Sequence, residues 1–290
     1  MFSSMVNITA QERGHVMKLS ICTISFRHHL HSMEQLAQFA KTQGFQGIEL
    51  WGIHAKNLAD EPHYGADWLS SYGLETSMLS DYLPLDAPVS EMMAETERLS
   101  ALAKRWGTNK IRTFVGKQGS SDTSKKERVE LIVRLTMLCD YLESQGQNLL
   151  VETHPNTLTD NLPSTMQLLE ETNHSSLRVN FDVLHIWESG MNPIVAMKQL
   201  RPYISHFHFK NIASRAQLDV FSPNNVYAAA GSREGMVPLF EGAIDYGEFL
   251  AEAVSTMEVD ASLEWFGSNV MSVLAKDSQE VKKALQLVQI

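Results

Sequence analysis

NLLVETH at residues 148–154, LRVNFDVLH at 177–185 and ISHFHFKN at 204–211 are three short apolar runs separated by stretches of helical period. Each ends in side chains that a strand built only for packing would not carry: Glu152 and His154, Asp182 and His185, His208 and Lys210. The same alternation continues outward in both directions. Runs at 19–26 (LSICTISF), 47–52 (GIELWG), 74–80 (LETSMLS), 110–116 (KIRTFVG) and 261–267 (ASLEWFG) bring the total to eight. Helical stretches over 33–43, 90–106, 123–145, 163–172, 245–257 and 274–288 intervene. Short strands alternating with longer helices are the pattern of repeated βα units around a parallel sheet. Eight such units predict an α/β fold, a (β/α)8 TIM barrel. Ser32 with Gln35 three residues on, and Ser90 before Glu91 and Met93, signal helix starts. Pro163 and Pro193 sit where first-turn prolines are tolerated. The exception to the alternation is 212–244, a long run rich in Asn, Pro and Gly. A loop of that length in a compact domain is more often functional than idle.

A chain of 290 residues with 43% hydrophobic content can bury one large core, so residues 17–290 are read as a single domain. Its formal charge of −10 argues against a protein that coats nucleic acid or an anionic membrane, which needs clustered positive charge. A small anionic substrate remains compatible, because one or two buried cations can hold it locally. No stretch of about 18 apolar residues exists to span a membrane. Residues 1–16, MFSSMVNITAQERGHV, are polar where a secretory signal needs an apolar region, and strong patterning begins at Met17. The expectation is a cytoplasmic protein with a disordered leader over 1–16. Cys22 and Cys139 belong to no CxxC pair or zinc-ligand spacing and read as core thiols. Exposed barrel helices leave room for a homodimer.

Closing the eight strands into a barrel brings their C-terminal ends to one face, where barrels build their sites. Glu152, Asp182, His208 and Glu264 then converge. Three carboxylates in one cavity cannot all ionise cheaply without a compensating cation. A divalent metal supplies it. Oxygen-dominated ligation with one imidazole suits Mn2+, Mg2+, Co2+ or Zn2+, and the lack of a thiolate favours Mn2+ or Mg2+. Any one of these residues alone is ordinarily a solvated or salt-bridged strand end; four at equivalent positions favour the metal site. His154 lies two residues past Glu152, and Lys210 two past His208, on the same strand face. His185, Arg112 in the fourth run and Tyr82 after the third complete the candidate polar groups, with Glu49 at lower weight. Trp51, Trp187 and Trp265 could wall the pocket, though packing is their ordinary role.

The runs CTISFRH, GFQGIELWG, TNKIRTF, ETHPNTLTDNLPST, LHIWESG, QLRP, HFKNI, PNNVYAAAG, GMVPLFEG and SLEWFG together resemble the bacterial 3-dehydroshikimate dehydratases. The resemblance is to the type that makes 3,4-dihydroxybenzoate (protocatechuate) for petrobactin-like catecholate siderophores, in the xylose-isomerase-like TIM-barrel superfamily. It covers nearly the whole chain from Met17. It implies a lyase whose metal ligands fall on Glu152, Asp182, His208 and Glu264, and whose substrate and catalytic groups fall on Tyr82, Arg112, His154, His185 and Lys210. The implied reaction removes the C4 proton of 3-dehydroshikimate, expels the C5 hydroxyl as water and aromatises the ring. His154 or His185 would be the base. Lys210 or Arg112 would hold the carboxylate or stabilise oxyanion charge, and Tyr82 would orient the substrate or protonate the leaving hydroxyl. The 212–244 loop, with Phe221 and Tyr227, would cover the site and exclude water, with Phe221 against the substrate. Competing readings are a metal-dependent keto-sugar isomerase or epimerase of the same superfamily, a DNA-repair endonuclease disfavoured by the acidic charge, and a non-catalytic metal- or catechol-binding module. Siderophore assembly and quinate or shikimate catabolism both pass through the same reaction.

Overall fold

A computed structural model describes residues 17–288; the expected leader lies outside them. Eight parallel strands close into a barrel: β1 (Leu19–Cys22), β2 (Gly47–Trp51), β3 (Glu75–Ser80), β4 (Lys110–Thr113), β5 (Asn148–Glu152), β6 (Leu177–Asp182), β7 (Ile204–Phe209) and β8 (Ala261–Leu263). Each pairs with its neighbour in sequence, and β1 pairs with β8 through Leu19↔Ala261. The strands are almost continuously buried because the barrel interior covers one face and the helix ring the other. A large apolar core runs through both layers, with a small separate cluster of Cys22, Ile24 and Trp51, and Cys22 and Cys139 are buried free thiols within the fold. Among the described residues, no helix is long and apolar enough to cross a membrane.

Every expected strand is present, but most stop short of the apolar run that announced them. The 19–26 run leaves the sheet at Cys22 and makes a 3-10 turn over Thr23–Phe26. The 177–185 run leaves at Asp182 and turns into a helix, Val183–Glu188. Buried side chains continue past the last ladder bond, so apolar pattern alone does not mark where the backbone turns. Those overruns form the mouth of the barrel.

Helix starts follow the expected chemistry in part. Ser32 and Gln35 form a reciprocal capping box at Met33–Thr42. Pro163 and Pro193 occupy first turns, each behind an asparagine whose side chain caps the helix. Ser90 is not a cap: the helix Val89–Arg105 begins one residue earlier, behind Pro88, with no side-chain cap. The 212–244 segment is more ordered than a plain loop. It contains a 3-10 helix Arg215–Phe221, a short helix Pro223–Val226, and an antiparallel pairing of Asn211–Ile212 with Met236–Val237. The Asn211 amide donates to Leu239 O at 2.7 Å and Ile244 O at 2.9 Å, fastening the far end of the segment to the barrel rim.

Candidate active site

The four expected ligands sit at the C-terminal ends of consecutive strands β5 to β8. Asp182 and His208 are direct register partners, and Glu264 donates its backbone N–H to Phe209 O. Asp182 also caps the helix that follows it: Oδ1 accepts from His185 N at 3.1 Å, leaving Oδ2 turned to the barrel axis. His208 is fully buried. Its Nδ1 lies 3.4 Å from Glu152 Oε1, 3.5 Å from Glu264 Oε1 and 3.9 Å from Asp182 Oδ2, and has no hydrogen-bond partner. On the other side of the ring, Nε2 donates to Glu49 Oε2 at 2.8 Å. A histidine whose one nitrogen is fixed by a carboxylate, and whose other faces a ring of carboxylates, is arranged as a metal ligand.

Charge balance points the same way. Glu49, Glu152, Asp182 and Glu264 are all buried, against two fixed cations, Arg112 and Lys210, so once His208 gave up its proton to a metal two negative charges would remain. One divalent ion would neutralise them. Arg112 Nε lies 2.9 Å from Glu152 Oε2, and Lys210 Nζ donates to Asp182 and, at 2.7 Å, to Glu264 Oε2. Burial pushes the Glu152 carboxyl up, but Arg112 and His208 outweigh it and hold it well below the usual range. Asp182 is lowered too, its burial being overcome chiefly by Lys210. Burial opposes the charge on His208, yet Glu49, Glu264 and Glu152 raise its pKa well above the ordinary imidazole value. The site thus offers oxygen donors with one nitrogen, a set that could hold a cation.

Above this floor stand two histidines with different partners. His154 Nδ1 is 2.8 Å from the Pro155 carbonyl, so it carries the proton and leaves Nε2 as an acceptor. Burial, with His185 beside it, lowers the His154 pKa to about 3. His185 Nδ1 donates to the Glu188 carboxylate at 2.7 Å, again leaving Nε2 free, 3.9 Å from Asp182 Oδ2. The two rings are 4.4 Å apart, and Phe114 packs against His154 at 4.3 Å. Tyr82 and Tyr227 meet across the mouth with their hydroxyls 2.5 Å apart. Enclosure of the Tyr82 hydroxyl raises its pKa above the usual phenol value although 36% of the residue is exposed, so it stays protonated.

The space between floor and mouth is a cavity of about 70 Å³ bordered by Arg112, Glu152, His154, His185, Lys210 and Glu264, with Phe221 and Tyr227 from the long segment. All the expected site residues are thus brought together. Asp182 and His208 lie just beneath the cavity, completing its floor. The tryptophans do not border it: Trp51 packs with Cys22 and Ile24, Trp187 lies under Arg215, and Trp265 donates to Ser268 O. Arg27, Phe114, Phe266 and Glu188 escaped the sequence reading. Glu188 had a signal, its spacing of three from His185 on one helical turn; the others lie beyond strand ends where no period operates.

The sequence model of the family described as xylose isomerase-like TIM barrel matches residues 37–289. A 3-dehydroshikimate dehydratase from Bacillus anthracis is 51% identical over 264 residues, covering 89% of this chain and 94% of the relative. The crystal structure of a probable 3-dehydroshikimate dehydratase involved in petrobactin synthesis, from Bacillus anthracis, superposes with a TM-score of 0.88 at 49% identity, covering 92% of this chain and 99% of that one. A xylose isomerase-like TIM barrel protein from Mycobacterium smegmatis, in complex with magnesium, has a TM-score of 0.69 at 16% identity, covering 94% and 98%, a likeness of fold.

Proposed function

The chain belongs to the xylose isomerase-like TIM-barrel family, and within it we propose that it is a 3-dehydroshikimate dehydratase, a hydro-lyase forming 3,4-dihydroxybenzoate. The observation that carries this is the 51% identity to the Bacillus anthracis dehydratase across 89% of the chain, together with an intact array of acid, base and cation groups at the barrel mouth. Siderophore assembly is the proposed use of the product, following the petrobactin role of the structural relative. The cytoplasm is the proposed location.

Glu152, Asp182, His208 and Glu264 would hold one divalent ion, Mn2+ or Mg2+ by the oxygen-rich donor set. When bound, such an ion supplies Lewis acidity toward the C3 carbonyl oxygen of the substrate. The chain's own groups then divide the proton transfers. His185 takes the C4 proton at Nε2. Glu188 stabilises the imidazolium that forms, whereas the neutral Pro155 carbonyl behind His154 and that ring's low pKa make His154 the weaker base. His154 is better suited to orienting the substrate through Nε2. Lys210, held beside Asp182 and Glu264, stabilises negative charge that develops on the C3 oxygen. Tyr82 delivers a proton to the departing C5 hydroxyl, which leaves as water. Loss of a C6 proton and protonation of the C3 oxygen complete the aromatic ring, so the reaction nets one water per substrate.

The Tyr82–Tyr227 contact narrows the mouth of this cavity, so its parting would widen the way in for a ring acid. Its reclosure would exclude water from the reacting ring. The test is product analysis of metal-loaded protein given 3-dehydroshikimate or free ketoses. Formation of dihydroxybenzoate supports the assignment; isomerised ketose with untouched dehydroshikimate replaces it with the keto-sugar reading.

A further inference from the structure

Arg112 and Lys210 are each paired with ligand carboxylates at the floor, although Arg112 Nη1 has no hydrogen-bond partner, so both charges are already balanced there. The cavity has a third cation. Arg27 follows the 3-10 turn at the end of β1 and borders the same space. Its Nη1 donates to Ile24 O at 3.0 Å and its Nη2 to Val226 O, while Nε is buried with no partner. Among the described residues it pairs with no carboxylate. Arg233 donates to the same Val226 carbonyl at 3.5 Å, which adds like charge rather than relief. Burial first, and Arg233 after it, lower the guanidinium's pKa from its usual value. The planar group is aimed by stacking: its Cζ lies 4.6 Å from the Phe266 ring centroid and 5.3 Å from that of Tyr227. Lys210 Nζ lies 5.8 Å from the same Phe266 centroid, so floor and mouth cations both border that ring.

Resting on the dehydratase reading, we infer that Arg27 is the carboxylate-recognition residue, binding the substrate's carboxylate at the mouth while the reacting end faces the metal ligands. In 3-dehydroshikimate the carboxylate on C1 stands across the ring from C4, so seating C3 and C4 on the floor directs it outward. There it would meet a half-buried, uncompensated guanidinium with an unused N–H, the geometry that favours bidentate capture. The arriving anion would also take the place of Val226 O as acceptor. Binding of substrate and reordering of Pro223–Val226 would thereby be coupled.

The experiment compares two catechols that share the catechol oxygens and differ at C1, where 3,4-dihydroxybenzoate carries a charged carboxylate and 3,4-dihydroxybenzamide a neutral amide. Both are titrated into metal-loaded wild type and Arg27→Gln, with turnover of 3-dehydroshikimate measured alongside. Wild type should prefer the acid. Arg27→Gln should lose roughly 10- to 100-fold in affinity for the acid and little for the amide, as expected for a lost charge-assisted pair. KM should rise by a similar factor. Arg27→Lys should keep part of the preference; it also carries the test if the Gln variant does not fold, because a purely structural role would weaken acid and amide alike. Active Arg27→Gln with undiminished acid preference overturns the assignment and leaves the dehydratase standing. Wild type that neither turns over dehydroshikimate nor binds either catechol overturns the dehydratase reading and this one with it.

Discussion

Glu49 illustrates how far a single residue can be read before a fold is known. It lies two residues before the end of its buried strand, whereas Glu152 and Asp182 close theirs, so it was legible as a pocket group only at lower weight. Its partner was not, because His208 lies 159 positions away and meets it only across the closed barrel. Burial opposes ionisation of Glu49, yet His208 and His206 hold it in the charged form. Glu49→Gln should therefore lower metal affinity about 10- to 100-fold, by loosening His208 without removing a ligand. Titration of Mn2+ into the variant, with Mn2+ followed by electron paramagnetic resonance, measures this; unchanged affinity would leave Glu49 a packing residue. The two histidines separate in the same way. His185→Asn should lower kcat by about 10²- to 10⁴-fold with metal content intact, and His154→Asn should cost less. Equal losses, or the reverse order in single-turnover kinetics, would exchange their roles.

At the scale of elements, alternation and capping chemistry located all eight strands and the long helices, because each obeys a local period. What they did not locate were short turns such as Val183–Glu188, where an apolar run passes from strand to helix without changing composition. The far end of the 212–244 segment depends on a buried acid. Asp277, on the last helix Val270–Val288, accepts the Leu239 N–H at 3.0 Å, and burial raises its pKa to about 6. Between pH 4 and 6 the folded state then holds a proton that the unfolded chain has released, so this contribution is complete below the unfolded pKa of about 4 and is lost as pH rises through about 6. Asp277→Asn keeps the acceptor and removes the titration. It should raise stability at pH 7 by about 1 to 3 kcal/mol and flatten the profile between pH 4 and 6. Denaturant melts at pH 4, 5, 6 and 7 test both parts, and a variant that is less stable at pH 7 would contradict them.

Over the whole molecule, an acidic chain folds so that four carboxylates gather at one end of its barrel with two fixed cations among them. The fold carries this imbalance because the strands fix the residues at equivalent heights, and a bound cation would then stabilise the folded state alone. At an Mn2+ concentration about 100 times its dissociation constant, stability should increase by about 2.7 kcal/mol. For a chain of 290 residues that corresponds to a rise in Tm of roughly 4 to 5 °C. Glu264→Gln should reduce the rise, and a melting temperature indifferent to metal in both proteins would remove the cation from the account. The most direct measurement is turnover of 3-dehydroshikimate by chelator-stripped protein as Mn2+ is returned in known amounts. Dihydroxybenzoate should be absent without metal and should increase until one ion is bound per chain. Full turnover with no ion present, or none with any of Mn2+, Mg2+, Co2+ and Zn2+, would contradict the assignment.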